Sequence, residues 1–272
     1  MTGLRADPAA DAPAGGRGGR WLAPAATVLV LLAVWEAAVR LGGISEQVLA
    51  SPSQIIRATW EYRQDLLPAS AITAWEGTGG FLLAAAAGIP IGVALYRWKT
   101  LHDAVYPLIA AAQMIPLITV APLFVIWFGF EPLGKVVIVA VFALFPIVVQ
   151  TCRGLAAVPR FYEDVALTCG ATPAWTLWHV KLRIAAGHIF GGLRISAAYV
   201  FATAATSEYL GARNGLGIWL QTAFNSFRTP LIFSATLVIV VMTALLLALV
   251  SLVEHVLSGG VSQADFRAEE GS

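Results

Sequence analysis

Residues 153–186 read RGLAAVPRFYEDVALTCGATPAWTLWHVKLRIAA, a polar and charged stretch set between long apolar runs. Working outward from it, acidic and basic residues are absent from 21–35, 77–96, 104–130, 136–152 and 229–253. A further apolar run, 187–210, is interrupted by Arg194 and Glu208. A hydrocarbon core about 30 Å thick takes about 20 residues of helix. The runs therefore predict an all-α polytopic membrane protein with six transmembrane helices: 21–41, 71–96, 104–128, 134–153, 187–210 and 230–255. Gly88, Pro90, Pro116, Pro122 and Pro146 fall inside these spans, where a packed bundle tolerates them as bends or close approaches.

Composition agrees. Of 272 residues, 58% are hydrophobic and 12% charged, against about 25% charged in soluble domains, and the mean hydropathy is +0.76. Lipid must be the solvent for much of this surface. The net charge of +1 gives no electropositive face of the kind nucleic-acid binding uses. Cys152 and Cys169 lack metal-ligand spacing and read as free thiols.

Residues 1–20, rich in Gly, Ala, Pro and Asp, predict a disordered tail, and so does 257–272. The apolar run after the first tail lacks a small-x-small cleavage site, so it reads as a retained span rather than a signal peptide. Between the first two spans, 42–70 reads as a periplasmic segment. Within it Ile55, Ile56, Trp60 and Leu67 alternate with Arg57, Glu61, Arg63 and Asp65, an interfacial amphipathic pattern opened by Ser51 and Pro52. The rest, 71–256, forms a five-helix core. Ten Lys or Arg side chains fall on the side of the N-terminus and six on the other. The positive-inside rule then places both termini and loop 153–186 in the cytoplasm.

Within the loop, Pro159 can open a helix over 160–168 and Gly170 can end it, with Thr172 and Pro173 starting a second helix over 173–182. Such a pair exposes Phe161, Tyr162 and Trp178. Two readings stay open on these grounds: a helix pair presented to another protein through aromatic anchors, or an elbow floating among lipid headgroups.

Glu163-Asp164-Val165-Ala166, followed by Gly170, resembles the EAA loop of the transmembrane subunits of bacterial ABC importers. GIPIGVAL at 88–95, IPLITVAPLFVIWFGF at 115–130, Gly191-Gly192-Leu193-Arg194-Ile195 and SEYLGARNGLGIWL at 207–220 resemble further pieces in the same order. The chain is similar over about 50–256 to the type I importer permeases for nitrate, sulfonate, taurine and thiamine precursors. It departs in one place: the family closes this loop with Leu-Pro, whereas Leu182 is followed by Arg183, leaving a less rigid exit. The resemblance implies a non-enzymatic permease in a bacterial inner membrane, dimeric with a second and expectedly identical permease. It implies an ATPase dimer carrying ATP and Mg, and a periplasmic or lipid-anchored solute-binding protein meeting 42–70 and 211–228. It also implies ATPase coupling through Glu163, Asp164, Ala166, Gly170, Thr172 and Trp178. This chain would itself bind no cofactor or metal.

Intramembrane charge is costly and marks pathways or buried pairs. Glu76 and Glu208, near the outer ends of their spans, are candidates for lining the translocation path, with structural pairing as the alternative; Gln113, three residues before Pro116, joins them. Arg194 is expected to snorkel to the interface, and Trp127 and Trp219 to sit in the aromatic belt. In the resembled family an acid at the position of Glu76 and Gln-x-x-Pro in the third span go with pyrimidine or riboflavin importers. An acidic mouth would also repel nitrate or sulfonates, which favours a heterocyclic substrate over nitrate, taurine or an alkanesulfonate. The chain has no Gly-rich phosphate loop. His102, His179, His188 and His255 are too scattered for an intramembrane metalloenzyme. An ion-coupled secondary transporter, the remaining rival, would show internal repeats.

Overall fold

The computed structural model describes residues 19–257. The expected tails 1–20 and 257–272 lie outside them except at their inner ends, which are helical. Helix α1 (Gly19–Leu41) leaves Val28, Leu29, Val30 and Leu31 exposed, as a lipid-facing helix does. Its C-terminal end is tied down: Glu36 accepts from Ser53 N–H at 3.0 Å and Ser53 Oγ at 2.7 Å, and pairs with Arg40. Ser53 stands at the start of α2 (Pro52–Glu61), which opens on a capping box. The Ser51 hydroxyl accepts from Gln54 N–H, and the Gln54 side chain accepts from Ser51 N–H at 2.8 Å. Helix α2 buries Ile55 and Ala58 and leaves Trp60 exposed.

Helix α3 (Arg63–Arg97) starts earlier than the expected 71, because Leu66 and Ala69 have a place to pack, against Leu216 and Ala235. It lies along α6 (Pro132–Ala156) on a stripe of small residues, Gly80, Ala84, Gly88 and Gly92, all buried. At Gly92 a β-carbon would stand 2.6 Å from Thr151 Cβ and 2.9 Å from Val148 O. Only glycine allows that approach, which is how membrane helices gain dispersion contact without a hydrophobic drive. Phe81, Ile138, Val139, Ile147, Val200 and Phe201 form the centre of the resulting core.

The expected third span is not one straight helix. It is α4 (Lys99–Ala112) and α5 (Leu117–Phe128), bent by 101° at the break between them. Pro116 has no N–H to donate and drives the residue before it out of helical backbone. It sits at φ −65° and ψ 128° and opens α5 instead of continuing α4.

After α6 come α7 (Arg160–Thr168) and α8 (Pro173–Thr176). A π-helical turn, Leu177–Lys181, leads without interruption into α9 (Leu182–Ala197). The second loop helix and the fifth span are thus one rod. Arg183 is where the difference lies: a proline there would remove a helical N–H, whereas arginine lets the helix run through, so the exit is continuous rather than loose. A short break precedes α10 (Val200–Gly211), then α11 (Leu216–Asn225) and α12 (Thr229–Leu257).

Among the described residues five helical runs are long and apolar enough to cross a bilayer, and six when α4 and α5 count as one broken span. Two side chains have specific partners. Arg194 pairs with Glu254 of α12, tying the fifth and last spans together. The Trp219 indole N–H donates to Leu231 O at 3.0 Å and its ring packs edge-on against Tyr62.

Candidate functional site

Pro159, in extended backbone, opens α7, and glycine closes it. Gly170 adopts φ +87°, its N–H donates to Leu167 O and that of Ala171 to Ala166 O, both at 3.0 Å. This is a Schellman ending, which needs a left-handed residue where Gly170 stands. Two residues on, the Thr172 hydroxyl accepts from Trp175 N–H at 3.3 Å and caps α8. The chain therefore reverses within a few residues, and α7 and α8 enclose a concavity of about 710 Å³. Phe161, Val165, Ala166, Gly170, Thr172 and Trp175 are among its lining residues.

That surface is apolar and open. Phe161, within the apolar lining of the concavity, is 69% exposed, and Trp178 is 63% exposed. Of the six loop candidates, the structure gathers Ala166, Gly170 and Thr172 around the concavity. Asp164 is exposed on α7, and Trp178 projects from the π-turn outside the lining.

Glu163 turns the other way. Its carboxylate pairs with Lys181, whose ammonium also donates to the Tyr96 hydroxyl at 2.7 Å and lies 5.2 Å from the centre of that ring. Lys181 and Tyr96 were not among the residues singled out from the sequence. The available signal was a lone lysine in an otherwise apolar helix face, 18 positions beyond Glu163. Nearby, Arg153 donates to the Tyr106 hydroxyl at 2.8 Å, joining α6 to α4 at the same end of the bundle.

At the opposite end, Glu208 and Glu76 are fully buried, at 0% and 1% exposure. Glu208 accepts from Thr73 Oγ1 at 2.7 Å and from Gly217 N–H at 2.6 Å, while Thr73 Oγ1 accepts Leu216 N–H at 2.9 Å. These are the first N–H groups of α11, which have no partner within their own helix; Glu208 and Thr73 supply them with acceptors. Lys135, also buried, lies within electrostatic reach of both carboxylates and donates to Gly129 O at 3.3 Å. Neither glutamate reaches a surface that can line a passage, and the electrostatic argument from an acidic mouth falls with that. Gln113, at the end of α4 beside the break, is exposed.

Residues 80–263 match the family described as the inner membrane component of binding-protein-dependent transport systems. The chain belongs to that family. The permease is 31% identical over 240 residues to the formylaminopyrimidine transport permease protein ThiX of Halalkalibacterium halodurans, covering 87% of this chain and 94% of the relative. It is 32% identical over 241 residues to the riboflavin transport system permease protein RibX of Chloroflexus aurantiacus, covering 85% and 87%. Its backbone follows a chain of the MetNI methionine ABC transporter, solved in inward-facing conformations, with a TM-score of 0.64 at 18% identity over 72% of this chain and 97% of that one. The permease is thus a multi-pass inner-membrane subunit of a type I ABC importer, in a family whose members work with a separate ATPase and a solute-binding protein.

Proposed function

We propose that the permease forms, with a second copy of itself, the path of an ATP-driven importer for a small heterocycle of the thiamine-precursor pyrimidine or riboflavin type. The single observation behind the substrate class is that the chain is similar over nearly its whole length both to a formylaminopyrimidine permease and to a riboflavin permease. Gln113, exposed beside the broken span, is the polar group best placed to face a passage between two copies. The concavity of α7 and α8 is the surface offered to the ATPase, with Ala166 and Gly170 keeping it open and Phe161 and Trp178 as anchors. ATP and Mg belong to that partner, and this subunit does no covalent chemistry. A periplasmic or lipid-anchored binding protein delivers the substrate to the face carrying α2 and α11, and both termini lie in the cytoplasm.

The test is a binding screen on the cognate solute-binding protein with a formylaminopyrimidine, riboflavin, taurine and nitrate. Saturable binding of the pyrimidine or the flavin is the expected result. Selective binding of taurine or nitrate would overturn the substrate class and leave the importer reading standing.

A further inference from the structure

Lys181 is the least solvent-accessible charge at the loop end of the molecule, its side chain only 8% exposed. An ammonium so placed needs partners, and losing one leaves a buried uncompensated charge. Its two partners come from different elements: Glu163 from α7 and Tyr96 from the last turn of α3. Lys181 itself ends the π-turn, where the N–H of Leu182 reaches back five residues to Leu177 O. Such a widened turn inserts an extra residue into the helix and re-aims the side chains that follow, and it recurs at functional positions. Beneath the trio, Leu155, Val158, Ala185 and Ile189 pack with Tyr96, Leu177 and Leu182 into one small core. Helix α7 therefore cannot shift against α3 without breaking the partly buried Lys181–Glu163 pair, breaking the Lys181–Tyr96 hydrogen bond, or carrying α3 with it.

Helix α3 runs continuously for 35 residues, with Pro68 and Pro90 inside it. Near its other end Thr73 holds the start of α11 through Leu216 N–H and Glu208. Tyr96 and Thr73 are thus the two ends of one lever about 35 Å long. We propose that Lys181 and Tyr96 are positioning residues that convert a displacement of α7 into a displacement of α3, and through Thr73 and Glu208 into a displacement of α11 on the opposite side of the membrane. This rests on the reading that α7 and α8 dock the ATPase. It makes Glu163 an internal strut of the permease rather than a contact to the partner.

The experiment uses the full complex with its ATPase in nanodiscs, with Cys169→Ser and a spin label at Asn225→Cys on α11. The distance between the labels of the two copies is measured with and without ATP and vanadate. The parent complex is expected to show a nucleotide-dependent shift, and its absence would overturn the proposal. Lys181→Met and Tyr96→Phe are expected to retain the ATPase and its hydrolysis and to reduce the nucleotide-dependent population shift about fivefold. Loss of a strut that was merely structural would lower thermal stability without uncoupling hydrolysis from the shift. If Lys181→Met fails to insert, Tyr96→Phe decides alone, since it removes one oxygen atom. A full shift in the variants overturns the strut. Gly170→Trp serves as the separate arm: loss of the ATPase supports docking at the concavity, and its full retention overturns the docking reading itself.

Discussion

A side chain at Gly170 would meet open space, with nothing within 4 Å of an added β-carbon, but at φ +87° it would be strained. Gly170→Ala should then cost about 1–2 kcal/mol from backbone conformation alone. Asparagine, which tolerates the left-handed region, should cost less. Hydrogen exchange reads this directly: amides 167–171 should lose about 5- to 30-fold protection in the alanine variant, and equal protection in both variants would contradict the capping account. Glu208 makes the opposite case, a position defined by partners rather than by backbone. Glu208→Ala strands Gly217 N–H in the core, removes an acceptor from Thr73 and leaves a cavity, and should cost about 2–4 kcal/mol. Glu208→Gln keeps an acceptor oxygen and should cost less. Thermal unfolding in detergent separates the two, and indistinguishable midpoints would remove the clamp.

The elements show what a sequence can and cannot carry. Ser51, Pro159, Gly170, Thr172 and Pro173 act locally, through a capping hydroxyl or their own backbone, so capping and turn preferences place the starts of α2, α7 and α8 and the end of α7. Pro116 also acts locally, yet a proline inside a membrane span can mean a mild kink or a full break, and only the packing around it decides. The deepest misreadings concern pairs. Thr73 and Glu208 are 135 residues apart, Tyr96 and Lys181 85, and Arg194 and Glu254 60. The sequence shows charges in apolar surroundings without showing their partners, and so a clamped Glu208 and a buried Glu76 look like the lining of a mouth. The broken span gives a prediction of its own. A straight helix would separate residues 104 and 126 by about 33 Å, and the bend of 101° brings them much closer. Spin labels at Ala104→Cys and Ile126→Cys should report the short distance, and adding Pro116→Ala should lengthen it. A long distance in the parent chain would show a straight span.

At the scale of the whole molecule the bundle has two ends with different work. One end holds α11 in a web of buried polar groups; the other presents an apolar concavity that the chain does not cover. The rod of α3 joins them, and the uninterrupted run from α8 through α9 ties the concavity rigidly to the core. A loop floating among headgroups would need no such rigidity, whereas a loop that takes a push from a partner does. The most direct test places a photo-crosslinking residue at Phe161, in the concavity, and a control at Trp60, exposed on α2. Irradiation of membranes containing the assembled transporter should join the permease to the ATPase from position 161 and not from position 60. Lipid adducts alone from position 161 would contradict the docking account.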